Sequence, residues 1–175
     1  MPLRVVFAAL SLVTMNAGSA LAQAAEPVAP AVRLDTPSGL PVPRFVSLKS
    51  DETNCRIGPS FKHPIRFVYK RAGAPVMVVA ESVDHWRKIR DFEGSECWAH
   101  QTTLRAVTHV LAREETALRR RPDNAAEISA RVGGGVLARI ERRDGAWIRV
   151  SAGPARGWVL ADTVWGGARF AAPRN

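Results

Sequence analysis

The chain repeats itself, and this constrains its fold more than any other feature. Shifted by 63 residues, Cys55 falls on Leu118, Arg56 on Arg119, Pro59 on Pro122 and Ile65 on Ile128. Further along the shift shortens, so that Trp86 and Ile89 match Trp147 and Val150, and Trp98 and Leu104 match Trp158 and Val164. Two Trp recurring at nearly constant spacing predict two like units in tandem, with the slippage taken up in shortened loops.

Each copy reads as short strands between turn signals. "RFVSLKS" alternates and opens the first unit, while "PVMVVAE" and "VLARIER" are apolar-rich with partial alternation, as half-buried strands are. "SVDHW" and "RDGAW" supply hairpin turns, Asp144-Gly145 being the stronger form because Gly tolerates positive backbone angles. "WRKIRDFEG" and "WIRVSAG" alternate Trp, basic, apolar, then turn at Asp91–Gly94 and at Gly153-Pro154. "VTHVLAREETAL" spans the joint between copies and is read as strand, linker, strand rather than as a helix. The expectation is all-β: two small barrels, each limited in the area it can bury.

Ahead of the repeat stand two segments of other character. "MPLRVVFAALSLVTMNAGSALA", residues 1–22, has an early Arg4, an apolar run and Ala20-Leu21-Ala22, the layout of a cleaved secretory leader. Thr14, Asn16, Gly18 and Ser19 break the apolar run, which argues against a membrane anchor. Nothing downstream reads as a second span. Residues 23–43 are Pro-rich without apolar periodicity and predict a flexible tether. The expected boundaries are then 44–109 for the first domain, 110–170 for the second and 171–175 for a tail. Removing Arg4 with the leader takes the net charge from +9 to +8. All but four of the remaining basic residues (Lys49, Lys62, Lys70, Lys88) are Arg. An exported chain of this charge is expected in the periplasm or outside the cell. There its anionic partners are wall polymers and lipid headgroups rather than nucleic acid.

"NCRIGP" at residues 54–59, a strand pair, "WRKI" and then a Trp after a small or thiol residue resemble the bacterial SH3-like domain. The second copy carries the Gly157-Trp158-Val159 form of the later motif; the first departs with Cys97-Trp98-Ala99, and "ALRRRP" lacks the Asn and Gly of "NCRIGP". The resemblance covers about residues 44–170. It implies tandem, partly open barrels, non-catalytic, that bind wall peptide or glycan or act as adaptors.

Cys55 and Cys97 both depart from the second copy, where Leu118 and Gly157 stand, and in an exported chain pairing is the default. A Cys55–Cys97 disulfide is therefore expected. The rival is a metal site of Cys55, His63, Cys97 and His100, but its spacing is not the close pairing that structural zinc uses. No Ser occupies a nucleophile-elbow motif, "VGGGV" at 132–136 is not followed by Lys-Ser/Thr, and Asp51-Glu52 and Glu114-Glu115 read as exposed pairs. His63, His85 and His109 are expected in solvent-facing loops or linkers. No catalytic residue, metal or cofactor is assigned.

The candidate ligand-binding residues are Trp86 and Trp147, expected exposed after hairpin turns, with Arg56, Arg66, Arg87 and Arg90 to meet carboxylates. Trp98 and Trp158 are expected in the cores, and Trp165 at the end of the second barrel. The functional expectation is a non-catalytic exported module binding cell wall (peptidoglycan) or another envelope component. A periplasmic protein–protein adaptor is the alternative, and a small wall hydrolase the third reading. Mass spectrometry of the non-reduced exported chain should show a species lighter by the two thiol hydrogens; two free thiols would overturn the pairing.

Overall fold

A computed structural model of the chain describes residues 31–168. The expected leader, the tether as far as residue 30 and the 171–175 tail lie outside the described residues. Fourteen strands follow one another: β1 Arg44–Leu48, β2 Thr53–Arg56, β3 Ile65–Tyr69, β4 Pro75–Glu81, β5 Trp86–Arg90, β6 Glu96–His100 and β7 Leu104–Ala106; then β8 His109–Ala112, β9 Thr116–Arg119, β10 Ile128–Val132, β11 Leu137–Asp144, β12 Trp147–Ala152, β13 Ala155–Leu160 and β14 Val164–Trp165. One 3₁₀ turn, Gln101–Thr103, precedes β7. The first sheet runs β3-β2-β6-β5-β4-β1-β7 and the second β10-β9-β13-β12-β11-β8-β14. Element for element, the two orders are the same. The protein is all-β, two small SH3-like barrels in tandem, and "VTHVLAREETAL" contributes β8 and β9. Among the described residues no helix is long and apolar enough to cross a membrane.

The turns fall where the residues demand them. Gly145 (φ 53°) sits between Asp144 and Trp147, which pair directly, so β11 and β12 join by a two-residue hairpin. The first copy spends one residue more there, and His85 takes the positive φ (65°). Both copies bulge at the same place, between Val78 and Ala80 in β4 and between Ile140 and Arg142 in β11. A bulge bends its strand and lets a short sheet curl round its own core.

Each core is aliphatic and small. Leu48, Val76, Val78, Ile89 and Ala99 fill the first barrel with Cys55 and Cys97; Val110, Leu118, Ile148, Val150, Val159 and Val164 fill the second. No Trp belongs to either cluster. The disulfide Cys55–Cys97 joins β2 to β6 with Cα atoms 5.4 Å apart. Its counterpart in the second barrel is the contact of Leu118 with Gly157, where an added Cβ would lie 2.7 Å from the Leu118 Cβ. Leu118 thus occupies the space that Gly157 leaves, while two side chains of intermediate size share it covalently in the first barrel. A disulfide closing this 42-residue separation stabilises by about 4 kcal/mol through loop entropy.

Over residues 31–43 the structure differs from the expected tether. Arg33 and Val42 form a β-bridge, and Val42 is buried against the first core. Ser38 donates its backbone N–H (3.0 Å) and hydroxyl (2.9 Å) to Glu81. Glu81, whose side chain is wholly buried, also meets Arg44 at 2.5 Å and Arg87 at 3.1 Å. Two guanidiniums and Ser38 thus saturate one carboxylate, and that ties the arm down. The Pro-rich composition reported the absence of periodicity but not this long-range anchor.

The barrels also touch each other. Trp165 lies in β14 at the end of the second sheet, paired with Leu111, and also reaches the first barrel: its indole N–H donates to the Pro75 carbonyl (2.9 Å) and its ring meets Phe45 edge-on at 4.9 Å. Gly166 (φ 89°) lies so close that an added Cβ would be 2.6 Å from Pro75. His109 lies in β8 rather than in a free linker, with its ring against Gly73. Burial lowers its pKa, aided by Arg105 and Arg139.

Two outcomes follow. Cys55→Leu/Cys97→Gly, which rebuilds the Leu118–Gly157 contact, should unfold at higher temperature than Cys55→Ala/Cys97→Ala; an equal loss in both would refute the equivalence. Burial raises the Glu81 carboxyl, but Arg44 and Ser38 outweigh it and hold it below its ordinary value of 4.5. Its stabilisation is therefore complete above that value and is lost as pH falls through the lowered folded-state value. Glu81→Gln should cost about 3 kcal/mol near neutral pH and flatten the acid side of a thermal-unfolding profile.

Candidate binding faces

Alternation along β5 and β6, and along β12 and β13, turns every second side chain outward. In the first barrel the outward pairs are Trp86 opposite His100, Lys88 opposite Trp98 and Arg90 opposite Glu96. In the second they are Trp147 opposite Leu160, Arg149 opposite Trp158 and Ser151 opposite Arg156. All four repeated Trp therefore stand on outer sheet faces. Trp98 and Trp158, expected in the cores, share strand parity with the outward row because Cys97 and Ala99, or Gly157 and Val159, take the inward positions. Trp98 is half-buried, and Trp158 is 7% exposed under the Arg142 guanidinium, 6.0 Å from its ring.

Trp86 was expected exposed and is 3% exposed. The loop joining β2 to β3 brings Phe61 onto its ring at 4.9 Å, and His100 closes the side at 5.3 Å. Trp147 is half-buried.

Of the four candidate Arg, two are consumed by the fold. Arg56 donates to the His63 carbonyl (2.6 Å) and so clamps the β2–β3 loop. Its counterpart Arg119 does the same to Ala126 (2.7 Å), seven residues on in both copies. Arg87 is 5% exposed, paired with Glu81 and donating to Gln101 Oε1 at 3.1 Å, which places it out of a ligand's reach. Arg66 and Arg90 are exposed. Both turn to one residue: Arg66 donates to the Glu96 carbonyl (3.3 Å) and Arg90 to the Glu96 carboxylate (2.5 Å). Lys88 joins them at 2.6 Å, and hydrogen bonds from Lys88 and Arg90 hold the Glu96 carboxyl below the ordinary range. Cys55 and Cys97 are bonded to each other, so their thiolates do not make a metal site with His63 and His100. Among the described residues no group of three or more His, Cys, Asp or Glu could hold a metal.

The second barrel arranges its face otherwise. Arg156 stands two residues before Trp158, where Glu96 stands before Trp98. A groove of about 240 Å³ beside Trp158 is lined by Arg119, Arg120, Arg149, Arg156 and Ser129. With Arg142, five guanidiniums meet two carboxylates: Glu141, 3.4 Å from Arg149 and 3.3 Å from Arg156, and Glu127, 3.1 Å from Arg120. The four Arg candidates drawn from the sequence all lay in the first copy, and Trp147 alone lay in the second. Carrying Lys88 across the repeat to Arg149 was the available signal for this face. On the other side of Arg119 a second groove, of about 250 Å³, is lined by Glu114, Glu115, Asn124, Trp147, Leu160 and Thr163.

Among solved structures, NlpC2 from Trichomonas vaginalis is similar at 14% identity (TM-score 0.33), covering 70% of this chain and 48% of that one. NlpC1 from the same organism is similar at 15% identity (TM-score 0.31), with 70% and 45% covered. The chain spans about half the length of each. No curated protein matches it. The family model described as the bacterial SH3 domain matches residues 49–106 and again 112–166. Matched twice, over well more than half of its length and once in each barrel, the chain belongs to the bacterial SH3 domain family.

Proposed function

We propose that this protein is an exported, non-catalytic binding module that associates with an anionic polymer of the cell envelope, peptidoglycan being the first candidate, in the periplasm or outside the cell. Bacterial SH3 domains are binding modules, which supports the general class. The observation that carries the finer reading is the groove beside Trp158, lined by four Arg with the Arg142 guanidinium nearby over the Trp158 ring, against the carboxylates of Glu141 and Glu127. Arg presents paired donors in a plane that matches a carboxylate, and rows of them suit a polymer with regularly spaced acids. Pairing to Glu141 positions Arg149 and Arg156 side by side without neutralising the groove.

Co-sedimentation of the purified exported chain with isolated peptidoglycan tests this. Binding is expected at moderate salt, and Arg149→Glu/Arg156→Glu should weaken it by about tenfold or more, the scale of one charge-assisted hydrogen bond or two. Failure of the unaltered protein to pellet with the wall would overturn the reading. Loss that merely tracks ionic strength and ignores the two substitutions would reduce it to net charge.

A further inference from the structure

The β2–β3 loop of the first barrel and the β9–β10 loop of the second have the same length and the same backbone bonds. Ile57 bonds Pro64 as Arg120 bonds Glu127, His63 bonds Ser60 as Ala126 bonds Asp123, and Ser60 and Asp123 each accept a backbone N–H two residues on. Arg56 and Arg119 clamp both loops alike. Of these eight loop positions only Pro59 and Pro122 carry the same residue, and the difference that bears on the Trp is at the loop tip. Phe61 lies over Trp86 and His100, 5.8 Å from the Arg56 guanidinium, and Asn124 holds its place in the second copy. The residues corresponding to the partners of Phe61 are Trp147, Leu160 and Arg119, and all three line the groove of about 250 Å³. The first barrel fills this groove with its own loop; the second leaves it open.

We infer that the open groove beside Trp147 is a docking site for an aromatic side chain presented by an extended segment of a partner protein. The first barrel supplies the pattern for the fit: a phenyl ring edge-on to the indole, beneath a clamped guanidinium. Leu160 in place of His100 makes the wall more apolar, which favours a carbon ring over a hydroxyl-rich sugar. Asn124 is too short to cover Trp147 as Phe61 covers Trp86. The site meets the Arg-lined groove beside Trp158 only at Arg119 and does not depend on wall binding, so one protein would hold an envelope polymer and a polypeptide in two adjoining grooves of one outer face.

The test uses the full exported chain and two blocked tripeptides, Gly-Phe-Gly and Gly-Ala-Gly, followed by the indole N–H resonances. The Phe peptide should shift the Trp147 resonance saturably and the Ala peptide should not. Asn124→Phe, which plugs the groove from within, should abolish the response while leaving the thermal transition intact. Phe61→Asn should do the reverse, making the Trp86 resonance respond and so creating a second site. The proposal is overturned by no saturable shift at Trp147, or by a shift that survives Asn124→Phe. It is equally overturned if N-acetylglucosamine oligomers, rather than the Phe peptide, move Trp147. Concentration-dependent dimerisation that Phe61→Asn abolishes would assign the groove to a second copy and overturn it as well.

Discussion

Closure of each barrel depends on one cross-strand contact. The ladder between β2 and β6 contains a single register pair, Arg56 with Trp98, and the one between β9 and β13 a single pair, Trp158 with Arg119. So short a ladder supplies little backbone pairing, and side chains must hold the seam. On the inner side this is the Cys55–Cys97 bond in one copy and Leu118 seated on Gly157 in the other. On the outer side the same Arg that pairs with the Trp strand clamps the loop that follows. Seam, loop and outer face therefore stand or fall together.

That coupling explains how the copies diverged without losing their shape. A loop held by Arg56 or Arg119, with Pro59 or Pro122 and a short capping side chain, keeps its path whichever residue sits at its tip. Phe61 and Asn124 could then differ freely, one covering its Trp and the other uncovering it. Likewise Glu96 gathers the cations of the first face, whereas Arg156 adds to those of the second. The frame is common and the surfaces are not.

The two barrels are joined by contacts as well as by chain. Trp165 from the last strand reaches Pro75 and Phe45, the Arg71 guanidinium donates to the Gly135 carbonyl (3.1 Å), and Thr108 donates to Ser47 Oγ (3.1 Å). At the other end, Glu81 gathers Arg44, Arg87 and the 31–43 arm. Both anchors use positions where the two copies carry different residues, such as Glu81 against Arg143 and Arg87 against Ile148, so the repeat itself holds no trace of them.

The repeat, the all-β class, the strand-and-turn order and the pairing of the two cysteines were legible in the sequence. Each depends on local alternation, turn chemistry or a difference between two aligned copies. What a side chain faces is another matter. Trp86, read as exposed, is covered by a residue 25 positions earlier; Trp98, read as core, faces outward because Cys97 takes the inner place; Arg87, read as a ligand contact, is consumed by Glu81. The sequence by itself determined two like barrels, since periodicity is a local property of the chain. Only the tertiary structure decided which Trp is open and which Arg is free, because burial is set by residues distant in sequence that the fold brings alongside.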